Sequence, residues 1–188
     1  HFLINQSIMK PKQYIIIALL AITFGCANDN KTQNAYSFQH SGLEGSWKVH
    51  EIHYKYADTT YKAIGEPYGR FLFTKNQYSL MYNPSMNPRT PFKNLSKPEP
   101  EEITSAFRSM VFNSGSYTYE DSVIKTIADA AKVPGFEGGN QYYKVHKEDE
   151  NMRLTFFDET YPDGNKPEWY GNLEIEFFLK KEARKAKE

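Results

Sequence analysis

The chain has 188 residues, about the length of one domain. Its 23 basic and 23 acidic side chains balance, and without Lys10 and Lys12 of the N-terminal segment 21 basic residues face 23 acidic ones. Nucleic-acid-binding proteins usually carry an excess of basic residues, which this near-neutral chain lacks, so we expect no nucleic-acid partner. The 14 Tyr and 13 Phe residues favour half-buried strands, a lined cavity or an interface.

The N-terminal segment has the pattern of a bacterial export signal. Lys10 and Lys12 form a positively charged start, and residues 14–25 form an apolar run without charge. That run is shorter than the roughly 20 residues that a membrane-spanning helix needs, although a transmembrane anchor is the alternative. We therefore predict a signal peptide in residues 1–25, with residues 1–8 as upstream sequence.

The single cysteine, Cys26, directly follows the small residue Gly25. This junction resembles the cleavage site of bacterial lipoprotein signals, in which the cysteine thiol receives a diacylglycerol. The resemblance implies lipid attachment at Cys26 and a membrane partner for that lipid. Polar residues without apolar periodicity follow, so we predict a flexible tether over 26–42. The expected location is the periplasmic or surface face of the outer membrane.

From Leu43 onward, short runs of alternating apolar residues are separated by turn residues, which predicts all-β structure. The first predicted strand covers 45–56. The next two, 68–74 and 77–82, are expected to form a hairpin that turns at Asn76.

One helix is predicted after a stretch with five prolines, 83–100, in which a central strand is excluded. Acidic residues occupy the first turn, where the helix dipole favours them: Glu99, Glu101 and Glu102. One apolar stripe follows, formed by Ile103, Phe107, Met110 and Val111. Gly115 lies just past the expected end. We expect this helix to pack across or beside a barrel mouth.

Five more strands are predicted in the second half of the chain: 115–120, 121–128, 141–147, 152–157 and 169–179. Residues 128–131 are compatible with a helix as well. The last strand alternates strictly, and its apolar face contains Trp169, Gly171, Leu173, Ile175, Phe177 and Leu179. About eight antiparallel strands with one inserted α-helix predict a barrel, with an open sandwich as the alternative.

A family resemblance begins at Gly45-Ser46-Trp47, directly after the tether. This sequence resembles the Gly-x-Trp motif that opens lipocalins, in which the Trp closes one end of the barrel. Lipocalins proper also place an Arg after the last strand, over that Trp, and Lys180 and Lys181 occupy this region here. A Thr-Asp-Tyr loop motif is absent from the sequence.

The segments after Trp47 are similar, in content and order, to bacterial lipocalin-like domains of the Bacteroidetes type, whose function is unassigned. The resemblance covers about residues 43–181 and implies a lipocalin-like barrel domain with a ligand-binding or interaction role. Residues 182–188 are expected to be a charged tail. Trp47 is the residue that the resemblance assigns to barrel closure.

Aromatic residues on different predicted strands could converge in the barrel and line a cavity for a small amphipathic ligand. These candidate ligand-binding residues are Phe71, Phe73, Tyr117, Tyr119, Tyr143 and Trp169. The alternative is that the same rings fill a closed core, because small eight-stranded barrels are often filled.

No catalytic or metal-binding constellation is predicted. Period two places His50 and His53 on opposite faces of the first strand, so they are not expected to share a metal. Glu174 and Glu176 alternate with apolar residues and are expected to face solvent. The glycines of 135–139 lack a following helix, and no Gly-x-Ser-x-Gly or His-Glu-x-x-His motif occurs. We therefore expect no cofactor and no enzyme activity.

Three functional hypotheses remain. The first is an envelope lipoprotein that binds a small hydrophobic or aromatic molecule in its barrel without a covalent bond. The second is an envelope protein-interaction or structural module with a filled barrel, whose recognition surface is the Pro-rich segment and the helix. The third is an enzyme on the same scaffold, since a fold does not fix a function.

Overall fold

The computed structural model describes residues 42–66 and 68–183. The predicted export signal, Cys26 and nearly all of the tether and the charged tail lie outside these residues. Within the described part of the chain, none of the helical structure has the length and apolar character needed to cross a bilayer.

The described residues form nine strands and one helix. In chain order these are β1 (Gly45–Tyr56), β2 (Thr60–Lys62), β3 (Gly69–Phe73), β4 (Gln77–Tyr82), α1 (Pro100–Arg108), β5 (Val111–Glu120), β6 (Val123–Ala131), β7 (Asn140–Glu148), β8 (Asn151–Thr160) and β9 (Leu173–Lys181). The predicted all-β class with one inserted helix is confirmed.

The sheet closes on itself through β1. Trp47 of β1 is the register partner of Phe71 on β3 and of Lys181 on β9, and every other strand pairs antiparallel with its neighbour in the chain. β2 pairs only with the second half of β1 and stands outside this ring. The result is a closed eight-stranded antiparallel barrel, so the predicted barrel is confirmed and the alternative of an open sandwich is wrong.

Three β-bulges interrupt the ladders, each by one extra residue. The extra residue is His50 on β1, Asp129 on β6 and Phe157 on β8, because in each case the residues before and after it pair with consecutive positions on the partner strand. Beyond a bulge the alternation is shifted by one residue, so that inward positions change from odd to even residue numbers or the reverse. The inward positions of β1, for example, change from Val49 to Ile52.

One end of the barrel is closed around Trp47. The indole is fully buried, and its Nε1 donates to the carbonyl oxygen of Leu43 at 2.7 Å. The Nζ of Lys181 lies 5.3 Å from the centre of the indole ring, in the region where lipocalins proper place an arginine. The lysine therefore supplies the cation over the closing tryptophan.

A carboxylate clamp joins β3 and β1 to the residue after β9 at this closed end. Glu182 accepts two hydrogen bonds from the Arg70 guanidinium, at 2.8 and 2.9 Å, and one from the Ser46 hydroxyl. The hydrogen bonds from Arg70 and then Ser46 lower the pKa of Glu182 to about 2. The pair is exposed, so its contribution to stability is small.

The opposite end, the mouth, carries the long connection from β4 to β5. The start of this connection folds back onto the barrel, where Met86 is buried in the core and Tyr54 donates its hydroxyl to the carbonyl oxygen of Pro84 at 2.6 Å. Asn83 is buried and accepts hydrogen bonds from the backbone and hydroxyl of Ser85. The part of the mouth nearest β1 is thus covered.

Several local predictions were wrong. The helix ends at Arg108, so Val111 and Gly115 belong to β5 instead of to the helix and its end. The helix buries none of its residues, and Ile103 and Phe107 of the predicted apolar stripe are about half exposed.

Residues 128–131 continue β6, while Trp169 to Asn172 form a turn before β9. The short β2 was not predicted, since only three exposed residues form it.

Candidate functional site

The centre of the barrel is packed with aromatic rings. The ring centre of Phe71 lies 5.1 Å from that of Phe177, 6.2 Å from that of Tyr82 and 6.4 Å from that of Tyr143. Tyr82 and Phe177 are themselves 4.8 Å apart in an edge arrangement. These distances are those of packed aromatic pairs, so Phe71 and Tyr143 fill the core at this level.

The other predicted cavity residues lie at different heights. Phe73 and Tyr117 pack edge to face at 5.3 Å toward the closed end, while Tyr119, at the end of β5, is 37% exposed. Trp169 is half-buried in the turn before β9, at the mouth, and its ring lies 5.0 Å from that of Phe156. The six aromatic residues therefore do not surround one cavity, because they lie at different heights along the barrel axis and Tyr119 lies at the barrel's rim.

A cleft of about 510 Å³ opens instead at the mouth, between β5 and the loops that follow β6 and β8. Its walls are mainly apolar and include Val111, Phe112, Val133, Pro134, Phe136 and Tyr161. Its polar side chains are Asn113, Gln141, Glu159, Lys132 and Asp163. Apolar walls with a few convergent polar groups are typical of small-molecule sites.

A hydrogen-bond network connects the deepest polar residues of this cleft. The Oε1 of Gln141 accepts from the Nδ2 of Asn113 at 3.1 Å and from the hydroxyl of Tyr143 at 3.0 Å. Both donors fix the orientation of the Gln141 amide, so its Nε2 points to Glu159 and donates to Oε2 at 2.7 Å. The network therefore holds the Glu159 carboxylate in place from below.

Glu159 owes its position to the bulge on β8. Met152, Leu154 and Phe156 face inward, and strict alternation would place Asp158 next. The extra residue Phe157 reverses this, so Glu159 faces the mouth beside its register partner Gln141. Asp158 instead binds the Nζ of Lys166 on the outer surface.

The Glu159 carboxyl is only partly satisfied. The hydrogen bond from Gln141 is the one that its oxygens accept within the described part of the chain, so Oε1 is left to the cleft. Burial raises the pKa of Glu159, the Gln141 hydrogen bond opposes that shift, and the neighbouring Asp158 adds to it. A group of this kind costs stability when it is ionised without a further partner.

The cation at the cleft wall is turned away from Glu159. The Nζ of Lys132 donates to the carbonyl oxygens of Phe107, at 2.8 Å, and Met110, at 2.5 Å, at the C-terminal end of α1. Desolvation lowers the pKa of Lys132. The ammonium thus joins the helix end to the loop that follows β6 and does not neutralise the carboxylate on the cleft floor.

We expect Glu159→Gln to raise the stability of the protein at pH 7. The folded-state pKa of Glu159 is raised, so the wild type loses stability as pH increases from the unfolded-state pKa through the folded-state one. The glutamine keeps an oxygen that accepts from Gln141 and carries no charge. A gain of about 2–4 °C in Tm at pH 7, shrinking toward pH 4, is expected by calorimetry. A Tm at pH 7 below that of the wild type would contradict the description of Glu159 as a half-buried carboxylate with too few hydrogen-bond donors.

The prediction that His50 and His53 lie on opposite faces of β1 is wrong, because of the bulge on this strand. His50 and His53 both face outward, because His50 is the extra residue and the alternation resumes at Ile52. Within the described residues, no three His, Cys, Asp or Glu side chains are grouped as metal ligands would be. Glu174 and Glu176 lie on the outer face, near the Nζ of Lys55.

The sequence prediction missed the polar floor of the cleft. One signal was present, since Gln141 lies two residues before Tyr143 on the same strand and so shares its inward face. For Glu159 the alternation gives the wrong face, because nothing in the sequence around Phe157 indicates a bulge.

A closed eight-stranded barrel with a buried tryptophan at one end and a cleft at the other defines the class of small antiparallel β-barrels. The family model described as "Lipocalin-like domain" matches residues 44–174. Because this match covers more than half of the chain, the protein belongs to the lipocalin-like domain family, and the resemblance predicted from the sequence is confirmed.

Two solved structures are similar to the chain. One is a lipocalin-like protein from Bacteroides uniformis, and the other is an uncharacterized protein from Bacteroides eggerthii. Each is 17% identical, with a TM-score of 0.37, over 74% of this chain and 98% of the other. No curated protein matches the sequence.

Proposed function

We propose that this protein is a cell-envelope lipoprotein whose lipocalin-like barrel non-covalently binds a small hydrophobic or aromatic molecule. The binding site is the cleft at the mouth and not the barrel centre. The observation that carries the proposal is the cleft itself: about 510 Å³, with apolar walls above an ordered polar floor. That volume falls within the roughly 300–1,000 Å³ of small-molecule pockets.

The walls offer the ligand an aromatic lip. Phe136 and Tyr161 meet edge to face at 6.3 Å between ring centres, and both belong to the loops that border the cleft. Phe112 and Val133 present apolar surface to solvent from the facing side. A ring or alkyl chain would remove this surface from water and gain about 25 cal/mol for each Å² buried.

A blocking substitution tests the location of the site. Val133 is 53% exposed, so Val133→Trp is expected to leave the fold intact while the indole occupies the cleft. We expect N-phenyl-1-naphthylamine, a neutral fluorescent probe, to brighten on binding to the wild type and to bind at least ten-fold more weakly to this variant. Leu72→Trp, at a 43% exposed position on the outer face of β3, is the matched control and should leave binding unchanged.

Equal probe binding to Val133→Trp and the wild type would place the ligand elsewhere. No probe binding to the wild type would contradict the ligand-binding proposal and support the interaction module.

The envelope location rests on the N-terminal sequence. The positive start, the apolar run and the Gly25–Cys26 junction support lipid attachment at Cys26, which lies outside the described residues. When the full chain is expressed in a bacterium fed an alkyne fatty acid, we expect wild-type protein in the membrane fraction to carry the label. Cys26→Ser should lose the label, and labelling that persists in this variant would contradict the assignment.

A second candidate function is a protein-interaction module of the envelope. It is favoured by the apolar side chains that the connection between β4 and β5 leaves in solvent: Leu95, Ile103 and Phe107. Surface apolar groups of this kind mark interaction sites when they are contiguous. Under this reading Leu95→Ser would reduce the recovery of an envelope partner, whereas Val133→Trp would not.

A further inference from the structure

We infer that the molecule bound in the mouth cleft is a protonated amine with an aromatic or aliphatic body, and that the Glu159 carboxylate is its counterion. The inference rests on the proposed function, because it names the class of ligand for that same cleft.

Glu159 has hydrogen-bonding capacity that the described part of the protein does not use. An ionised carboxylate accepts about four hydrogen bonds, and the described residues supply one, from Gln141. Asn113 and Tyr143 both donate to the Oε1 of Gln141, so this amide directs only its Nε2 to Glu159. A half-buried carboxylate with this deficit is stabilised by a ligand that brings N–H donors.

The charge on the cleft floor is negative. Lys132 donates to the carbonyl oxygens of Phe107 in α1 and of Met110 just after it, so its ammonium is directed there. Asp163 is exposed at the rim, and its carboxylate accepts from the backbone and side chain of Asn165. Glu159 is therefore the charge that a ligand meets at depth, and it attracts a cation and repels carboxylates or phosphates.

Other titratable groups near Glu159 do not alter this sign at pH 7. Burial raises the pKa of Tyr143 and of Tyr82, so both hydroxyls stay neutral. Burial likewise raises the pKa of Tyr161 at the lip. Asp158 is engaged by Lys166 on the outer surface.

The geometry accommodates an amine with an apolar body. The Glu159 carboxylate lies at the floor of the cleft, and Phe112, Phe136 and Tyr161 belong to its walls. An ammonium at Glu159 would leave its attached ring or chain against these walls, where the removal of apolar surface from water favours binding.

Isothermal titration calorimetry at pH 7 with three matched probes tests the inference. The probes are 2-phenylethylamine, 2-phenylethanol and 3-phenylpropionate, which share an aromatic body and differ in the charge of the head group. We expect the wild type to bind the amine at least ten-fold more tightly than the alcohol, and the propionate most weakly.

Charge-removing variants assign the effect to one carboxylate. Glu159→Gln should weaken the amine about ten-fold, which corresponds to about 1.4 kcal/mol, and change the alcohol less than two-fold. Asp163→Asn removes the same charge from the exposed rim of the cleft and should change the amine less than two-fold. In wild type and Asp163→Asn alike, amine affinity should fall as pH is lowered through the raised pKa of Glu159, because the probe stays protonated.

The failures of the two proposals are distinguishable. Equal affinity for amine and alcohol, or an amine affinity insensitive to both Glu159→Gln and pH, would overturn the inference while binding blocked by Val133→Trp still supports the cleft. Absence of binding by all three probes and by the fluorescent probe would overturn both.

Discussion

Replacing Trp47 by alanine should remove about 3–5 kcal/mol from the free energy of unfolding, measured by urea titration. The indole is fully buried, closes one end of the barrel and is held by its hydrogen bond to the carbonyl of Leu43. The substitution would leave a cavity at the point where β1 meets both β3 and β9. It would also remove the ring beneath the Lys181 ammonium.

Two further variants separate the parts of this effect. Trp47→Phe keeps an aromatic ring but leaves the Leu43 carbonyl without the indole donor, so a smaller loss of about 1–3 kcal/mol is expected. Leu72→Ala, on the exposed face of the neighbouring strand, should change stability by less than about 0.5 kcal/mol. A loss below 1 kcal/mol for Trp47→Ala would contradict the role of this residue in closing the barrel.

Replacing Gly115 by alanine should destabilise the protein by about 3 kcal/mol, because this position faces the bulge of β6. A Cβ atom there would lie 2.0 Å from the carbonyl oxygen of Ile127 and 2.7 Å from the backbone nitrogen of Asp129. Both are backbone atoms, so the clash is relieved only if the bulge or the pairing of β5 with β6 changes. Asn113, two residues earlier on β5, would lose its position on the cleft floor.

Ser116→Ala is the matched control for this glycine, since Ser116 is the next residue on β5 and faces outward. It should unfold within about 0.5 kcal/mol of the wild type and keep its affinity for 2-phenylethanol. Wild-type stability in Gly115→Ala would show that β6 does not approach β5 as closely as the structure has it.

The barrel could be predicted because alternation is a local property. Where the pleat is regular, as in β3, β4 and the second half of β9, the buried positions alternate along the strand and all of them are apolar or aromatic. The Gly45-Ser46-Trp47 motif then marked the start of β1. The closed barrel was predicted from the count of about eight antiparallel strands.

The site could not be predicted in the same way. A bulge depends on the pairing of two distant segments, so the sequence around Phe157 does not announce that Glu159 faces inward and Asp158 outward. The same cause placed His50 and His53 on one side of β1. The predicted aromatic lining also failed to converge, because alternation fixes the face of a side chain but not its height along the barrel.

The exposure of α1 has a similar origin. The stripe formed by Ile103 and Phe107 predicts a helix that buries this face. Both side chains are about half exposed, and the hydrogen bonds that position the helix lie at its two ends. Glu102 accepts from the backbone nitrogens of Glu99 and Lys93 at its start, and Lys132 binds its last carbonyls. Periodicity shows which face could be buried, and tertiary contacts decide whether it is.

The location of the ligand site can be measured directly by titrating ¹⁵N-labelled protein with 2-phenylethanol and following backbone amide shifts. We expect the largest changes in the three segments that meet at the mouth, 111–113, 132–136 and 159–163. Amides around Trp47 at the closed end should not move. Changes concentrated at the closed end, or none at saturating probe, would contradict a ligand site in the mouth cleft.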